Sequence, residues 1–182
     1  VGEGPRLVVA HVDHGINDYD IFYFDPDFWR SADGGRRFSF AAGLEHESNG
    51  RDGESSRSIN IAYLRTRWRT DFGPDYYWVL WPKFVKYLEK SDNTDIPDYR
   101  GYVDLNLRVG RYDGFEVSGV FRKGNRSAGS MQLDLTYPIR RRILADAGGF
   151  VLLQYFNGYG ESLLDYNVHR RSQVRLGFSI VR

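Results

Sequence analysis

Apolar and polar residues alternate one by one along most of this chain, and that alternation limits the folds open to it. Met131, Leu133, Leu135 and Tyr137 stand against Ser130, Gln132, Asp134 and Thr136. Val103, Leu105, Leu107 and Val109, with Tyr99 before them, oppose Asp104, Asn106 and Arg108; Phe115, Val117 and Phe121 oppose Glu116, Ser118 and Arg122; Val174, Leu176, Phe178 and Ile180 alternate with Gln173, Arg175 and Ser179. A period of two puts successive side chains on opposite faces of a strand, so each segment has one apolar and one polar face.

Turn signals separate these runs, among them Phe72-Gly73-Pro74-Asp75, Ser91-Asp92-Asn93-Thr94-Asp95, Tyr112-Asp113-Gly114, Lys123-Gly124-Asn125-Arg126 and Gly158-Tyr159-Gly160. The pattern predicts eight strands near 36–48, 57–71, 75–88, 98–111, 114–123, 127–138, 148–157 and 170–181. Residues 5–12 and 20–29 add one or two more, giving eight to ten. No segment reads as a convincing helix, and no linker divides the 182 residues, which are expected to form one domain.

A soluble barrel or sandwich with a dry core shares this alternation. Three features favour an antiparallel transmembrane β-barrel instead. The runs are about ten residues or longer, the tilted span of a bilayer. Charges recur mid-strand on the polar face, as at Arg65, Arg67, Arg69, Asp104 and Arg108. Aromatic residues, 16% of the chain, gather near strand ends at Tyr76, Tyr77, Trp78, Tyr99, Tyr102, Tyr137, Tyr155 and Tyr159, where an interfacial girdle belongs. A mean hydropathy of −0.52 leaves no apolar run long enough for a transmembrane helix. The net charge of +1 implies no strong electrostatic attraction to nucleic acid or acidic partners, and no nucleic-acid partner is expected. With no cysteine there is no disulfide, thiolate metal site or thiol nucleophile.

One segment carries the chemistry. His46-Glu47-Ser48-Asn49-Gly50-Arg51 is followed by Ser55-Ser56-Arg57-Ser58-Ile59-Asn60. Strand register places His46 and Ser48 on the face of Phe38, Phe40, Ala42 and Leu44, and Asn60 on the face of Ala62, Leu64 and Trp68. An imidazole, a hydroxyl and a carboxamide therefore project from the apolar faces of neighbouring strands. They are the three groups of a hydrolytic triad, with Ser48 as nucleophile, His46 as base and Asn60 as orienter. Polar groups on a lipid-facing surface are costly unless they act. Backbone N–H groups around Asn49-Gly50 offer an oxyanion site. Asp52 and Glu54 give the intervening loop hard oxygen donors suited to calcium, although most acidic turns are simply solvated.

Glu45 and Glu47 alternate to the polar side, where interior arginines such as Arg65 or Arg67 are expected to pair with them. His11, Asp13 and His14 read as a solvated loop, His169 as a rim residue and Arg140-Arg141-Arg142 as a solvated turn.

The motif around His46, Ser48 and Asn60 closely resembles the active-site signature of bacterial outer membrane phospholipase A. Gly158-Tyr159-Gly160-Glu161-Ser162-Leu163-Leu164-Asp165-Tyr166-Asn167 resembles that family's loop before its last strand. The resemblance runs from about residue 36 to the C-terminus and leaves 1–35 unplaced. It implies a twelve-stranded barrel in the outer membrane of a Gram-negative bacterium that hydrolyses phospholipid acyl esters, depends on calcium and is active as a homodimer. It assigns the triad as above, Gly50 to the oxyanion hole, and Arg51 (through its carbonyl) and Ser56 to the calcium site. Gly53 stands where the family has an acidic calcium ligand, flanked by Asp52 and Glu54. About four N-terminal strands of the family barrel are not recognisable here. A non-catalytic, porin-like or degenerate barrel is the competing expectation.

Overall fold

The computed structural model describes the backbone of residues 11–13, 16–18, 22–23, 29–31, 34–49, 53–144 and 147–179. Side chains are described at 31, 34–49, 53–139 and 149–179. Four short strands come first: β1 (His11–Asp13), β2 (Ile16–Asp18), β3 (Phe22–Tyr23) and β4 (Trp29–Arg30). The long pair β5 (Arg36–Ser48) and β6 (Ser58–Phe72) follows, then β7 (Tyr76–Leu80) and β8 (Lys83–Glu89). A helix, α1 (Ile96–Arg100), leads into β9 (Val103–Arg111), β10 (Glu116–Lys123), β11 (Gly129–Leu144), β12 (Ala147–Gly158) and β13 (Arg170–Ser179).

The strands join in one antiparallel sheet, in the order β1-β2-β5-β6-β7-β9-β10-β11-β12-β13. Strands β3 and β4 also pair with β5, and β8 bridges β6 and β9. Neighbours in the chain are mostly neighbours in the sheet, as in an up-and-down barrel wall.

The two faces are inverted relative to a soluble protein. Leu64, Trp68, Leu105, Leu135 and Leu153 project outward and are 41–53% exposed. The inner face carries ions held by partners. Arg122 grips Asp104 with bonds of 2.8 and 3.1 Å, Lys83 pairs with Glu45, Arg108 lies 3.3 Å from Glu116, and Gln154 donates to Asp134 at 2.9 Å. Apolar outside and paired polar inside is the transmembrane β-barrel pattern, not a sandwich with a dry core. Among the described residues no helix is long and apolar enough to cross a membrane, so any crossing is made by strands.

The expected strand 36–48 matches β5, and 57–71 matches β6 within one residue. Four expectations need correction. The expected strand 75–88 is two strands, because Trp81-Pro82 interrupts it. Proline cannot donate to a ladder, and the break is bridged by Trp81 N–H to the Asn106 carbonyl and Thr66 N–H to the Pro82 carbonyl. The expected strand 98–111 begins only at Val103. Pro97, fixed in φ, sits in the first turn of α1, and Gly101 at φ 70° turns the chain out of it. The Arg140-Arg141-Arg142 run belongs to β11 rather than to a turn. Pairing with β12 is irregular between Ile139 and Leu144, so the strand carries the arginines beyond its regular ladder. His11 and Asp13 lie in β1 rather than in a loop, while residues 5–10 and His14 lie outside the described residues.

The aromatic girdle is also partly different. Tyr76, Tyr102 and Tyr137 are outward and exposed. Tyr77 faces inward and donates to Glu116, and Tyr99 sits on α1 against Tyr159 and Tyr166. This last contact belongs to a small interior core. Ile96 of α1 and Leu163 and Tyr166 of the 159–168 loop bury themselves against Ile59 and Ile61 of β6. Each such side chain contributes roughly 1.5–3 kcal/mol of burial. The approach needs Gly124, where a Cβ would stand 2.0 Å from the Asp98 carbonyl oxygen.

Candidate active site

The β5–β6 register sets the site. His46 pairs with Asn60 and Ser48 with Ser58. Cross-strand partners share a face, so the imidazole meets the carboxamide directly, and His46 Nδ1 lies 2.7 Å from Asn60 Oδ1. A carbonyl oxygen only accepts, so the proton of this bond is on Nδ1 and the lone pair is left on Nε2. Ser48 follows on the same strand and face, about 7 Å further along it. All three residues are half-buried.

The inner side of the same strands is held tightly. Asn60 sits between Ile59 and Ile61, which are 3% and 5% exposed and packed in the interior core. Glu47, between His46 and Ser48, turns inward and takes both guanidinium arms of Arg100, at 2.7 and 3.1 Å. Both expected inward glutamates face as expected, with Lys83 and Arg100 as cationic partners.

The loop joining β5 to β6 is cross-linked by Asn49. Its amide donates to the Ser55 carbonyl at 2.7 Å and accepts from Arg57 N–H at 3.0 Å. Gly53 opens a short turn at φ 63°, a left-handed conformation that glycine adopts at no steric cost. Glu54 is exposed in this turn, and Ser56 closes it with an N–H bond to the Gly53 carbonyl. Arg57 Nη1 donates to the Glu54 and Ser56 carbonyls at 2.9 and 2.6 Å. Gly50, Arg51 and Asp52 lie outside the described residues. Among the described residues no group of three or more His, Cys, Asp or Glu is clustered to hold a metal.

Two further acids lie at the site without having been singled out in the sequence. Ser58 Oγ donates to Asp92 at 3.1 Å, and the buried Asn93 donates to the Ser58 carbonyl at 2.9 Å. Glu89 stands opposite Asn60 on β8. The 91–95 segment carries the turn signal but gives no hint that it folds back on β6. His169 packs edge-on against Tyr159 at 5.0 Å.

The fold and the site's position define the class: an antiparallel transmembrane β-barrel with a hydrogen-bonded His–Asn pair on its outer wall. Residues 18–180 match the phospholipase A1 family model, and the chain belongs to that family. A relative in Neisseria meningitidis serogroup B is 34% identical over 147 residues, covering 79% of this chain and 36% of the relative. Phospholipase A1 of Escherichia coli strain K12 is 32% identical over 148 residues, covering 76% and 44%. Outer membrane phospholipase A from Escherichia coli has a similar structure, with a TM-score of 0.69 and 30% identity over 85% of this chain and 59% of that one. The calcium-bound dimer of the Salmonella typhi outer membrane phospholipase also gives 0.69, at 28% identity over 86% and 58%. The chain spans less than half the length of the curated relatives it matches.

Proposed function

We propose that this protein hydrolyses acyl ester bonds of phospholipids at the lipid-facing wall of a barrel in the outer membrane of a Gram-negative bacterium. The observation that carries the reading is the 2.7 Å bond between His46 Nδ1 and Asn60 Oδ1, on the same outward face as Ser48. Ser48 Oγ attacks the ester carbonyl while His46 Nε2 takes its proton. The tetrahedral adduct collapses, His46 returns the proton to the departing lysophospholipid hydroxyl, and the acyl group stays on Ser48. Water, deprotonated by the same nitrogen, then releases the fatty acid. Asn60 holds the tautomer that leaves Nε2 free. The backbone N–H of Gly50 is assigned as the oxyanion donor in this reading.

The Arg51 carbonyl, Ser56, and the carboxylates of Asp52 and Glu54 would hold a calcium ion, being hard oxygen donors. A calcium ion held there would supply positive charge to stabilise the developing oxyanion. Residues 1–182 are read as one barrel domain without some N-terminal strands of the full family barrel, and the active barrel as a homodimer, a reading in line with the dimeric Salmonella typhi neighbour.

The test is fatty-acid release from mixed phospholipid–detergent micelles. Wild type is expected to be active with calcium and silent with EDTA, and Ser48→Ala to be silent in both. Equal release by Ser48→Ala and wild type would mean that the triad does not act, as in a porin-like or degenerate barrel.

A further inference from the structure

The ladder between β6 and β8 slips by one residue beside the site. Leu64 pairs with Phe84, Ala62 with Lys86 and Ile61 with Tyr87, but Asn60 pairs with Glu89. Leu88 is the extra residue. In an unbroken ladder Leu88 would stand beside Asn60, and Glu89 would point to the inner face opposite Ile59. The bulge moves Glu89 onto the outward face. Three strands then present His46, Asn60 and Glu89 in one row.

The carboxylate is fixed there by its own turn. Glu89 Oε1 accepts from Ser91 N–H at 2.6 Å and from the Ser91 hydroxyl. The neighbouring cation, Lys90, is turned away to the Thr94 carbonyl. Glu89 and His46 interact electrostatically.

A neutral amide orients an imidazole but does little to stabilise the imidazolium formed when the serine is deprotonated. An anion in the same row of side chains acts on that imidazolium through space and can do so. We propose that Glu89 is a positioning residue for the proposed hydrolysis, supplying through space, behind Asn60, the negative charge that Asn60 lacks. The inference rests on the Ser/His/Asn reading. The other charged groups facing this row are Lys86, opposite Ala62, and Asp92, beyond Ser58.

Glu89→Gln tests it, because glutamine keeps an acceptor for Ser91 and loses only the charge. The full-length protein in detergent micelles is assayed for kcat/KM across pH, and the imidazole of His46 is titrated by NMR in the same samples. The expected result is a three- to tenfold lower plateau. The acid limb and the imidazole titration both move to lower pH, since a lost anion makes His46 a weaker base. Glu89→Asp is expected to recover most of both effects. An unchanged limb and titration in Glu89→Gln overturn the inference, whether the plateau falls or not, because a merely structural role lowers rate without moving either. An active Ser48→Ala overturns the triad and this inference together. An inactive Ser48→Ala with an unmoved Glu89→Gln overturns this inference alone.

Discussion

Arg100 holds both carboxylate oxygens of Glu47, the residue between His46 and Ser48, from the inner side of the barrel wall. Both side chains are largely buried, at 11% and 15% exposed. A helix of five residues thereby fixes the strand that carries the nucleophile and the base. Removing Arg100 leaves a carboxylate inside without its fork of donors. Arg100→Ala is expected to lower stability by about 3 kcal/mol in urea unfolding from detergent, and Arg100→Ala/Glu47→Ala by less than the two single losses combined. Arg111→Ala breaks an ion pair with Asp75 that is exposed at the rim, and is expected to change stability little in the same assay.

Asn60 is positioned by its neighbours as much as by its own strand. Ile61 is 5% exposed and meets Ile96, Leu163 and Tyr166 in the interior core. Ile61→Ala opens a cavity directly behind the His46–Asn60 pair. A loss of roughly 2–5 kcal/mol is expected in the same unfolding assay, with lower activity in the folded protein.

Asn60→Ala removes the acceptor for His46 Nδ1. A hydrogen bond of about 1–3 kcal/mol corresponds to a kcat roughly 10- to 100-fold lower. KM for micellar substrate is expected to change little, because the amide orients the base and does not bind lipid.

Tyr166 is buried in the loop before β13 and donates to Asp95. Burial and that bond both push its phenol above the ordinary value near 10. A phenol raised in the folded state stabilises the fold fully below its unfolded pKa and loses that contribution as pH rises beyond it. Wild type is therefore expected to lose stability as pH climbs above about 10, and Tyr166→Phe to show a flatter alkaline decline from a lower starting stability.

Strand β5 was legible because its apolar face alternates without a break from Phe38 to Leu44, and the site register followed from that alternation. The elements that escaped sequence reading are those in which local pattern and fold disagree. Helix α1 is one turn long with proline in its first turn, too short to show a 3.6-residue period. Tyr77 reads as an interfacial tyrosine until Glu116 is seen across the sheet. Glu89 lies on what simple alternation counts as the inner face, and a one-residue bulge turns it outward. Asp92 reaches Ser58 by a fold-back of the 91–95 turn that no spacing encodes.

The central claim is that Ser48 is a nucleophile activated by His46 at the lipid-facing wall. It is tested most directly by treating the protein in calcium-containing detergent with a long-chain sulfonyl fluoride and mapping the adduct by mass spectrometry. A stoichiometric adduct on Ser48, lost in His46→Ala and strongly slowed in Asn60→Ala, is predicted. No adduct on Ser48, or one that forms equally fast without His46, contradicts the account.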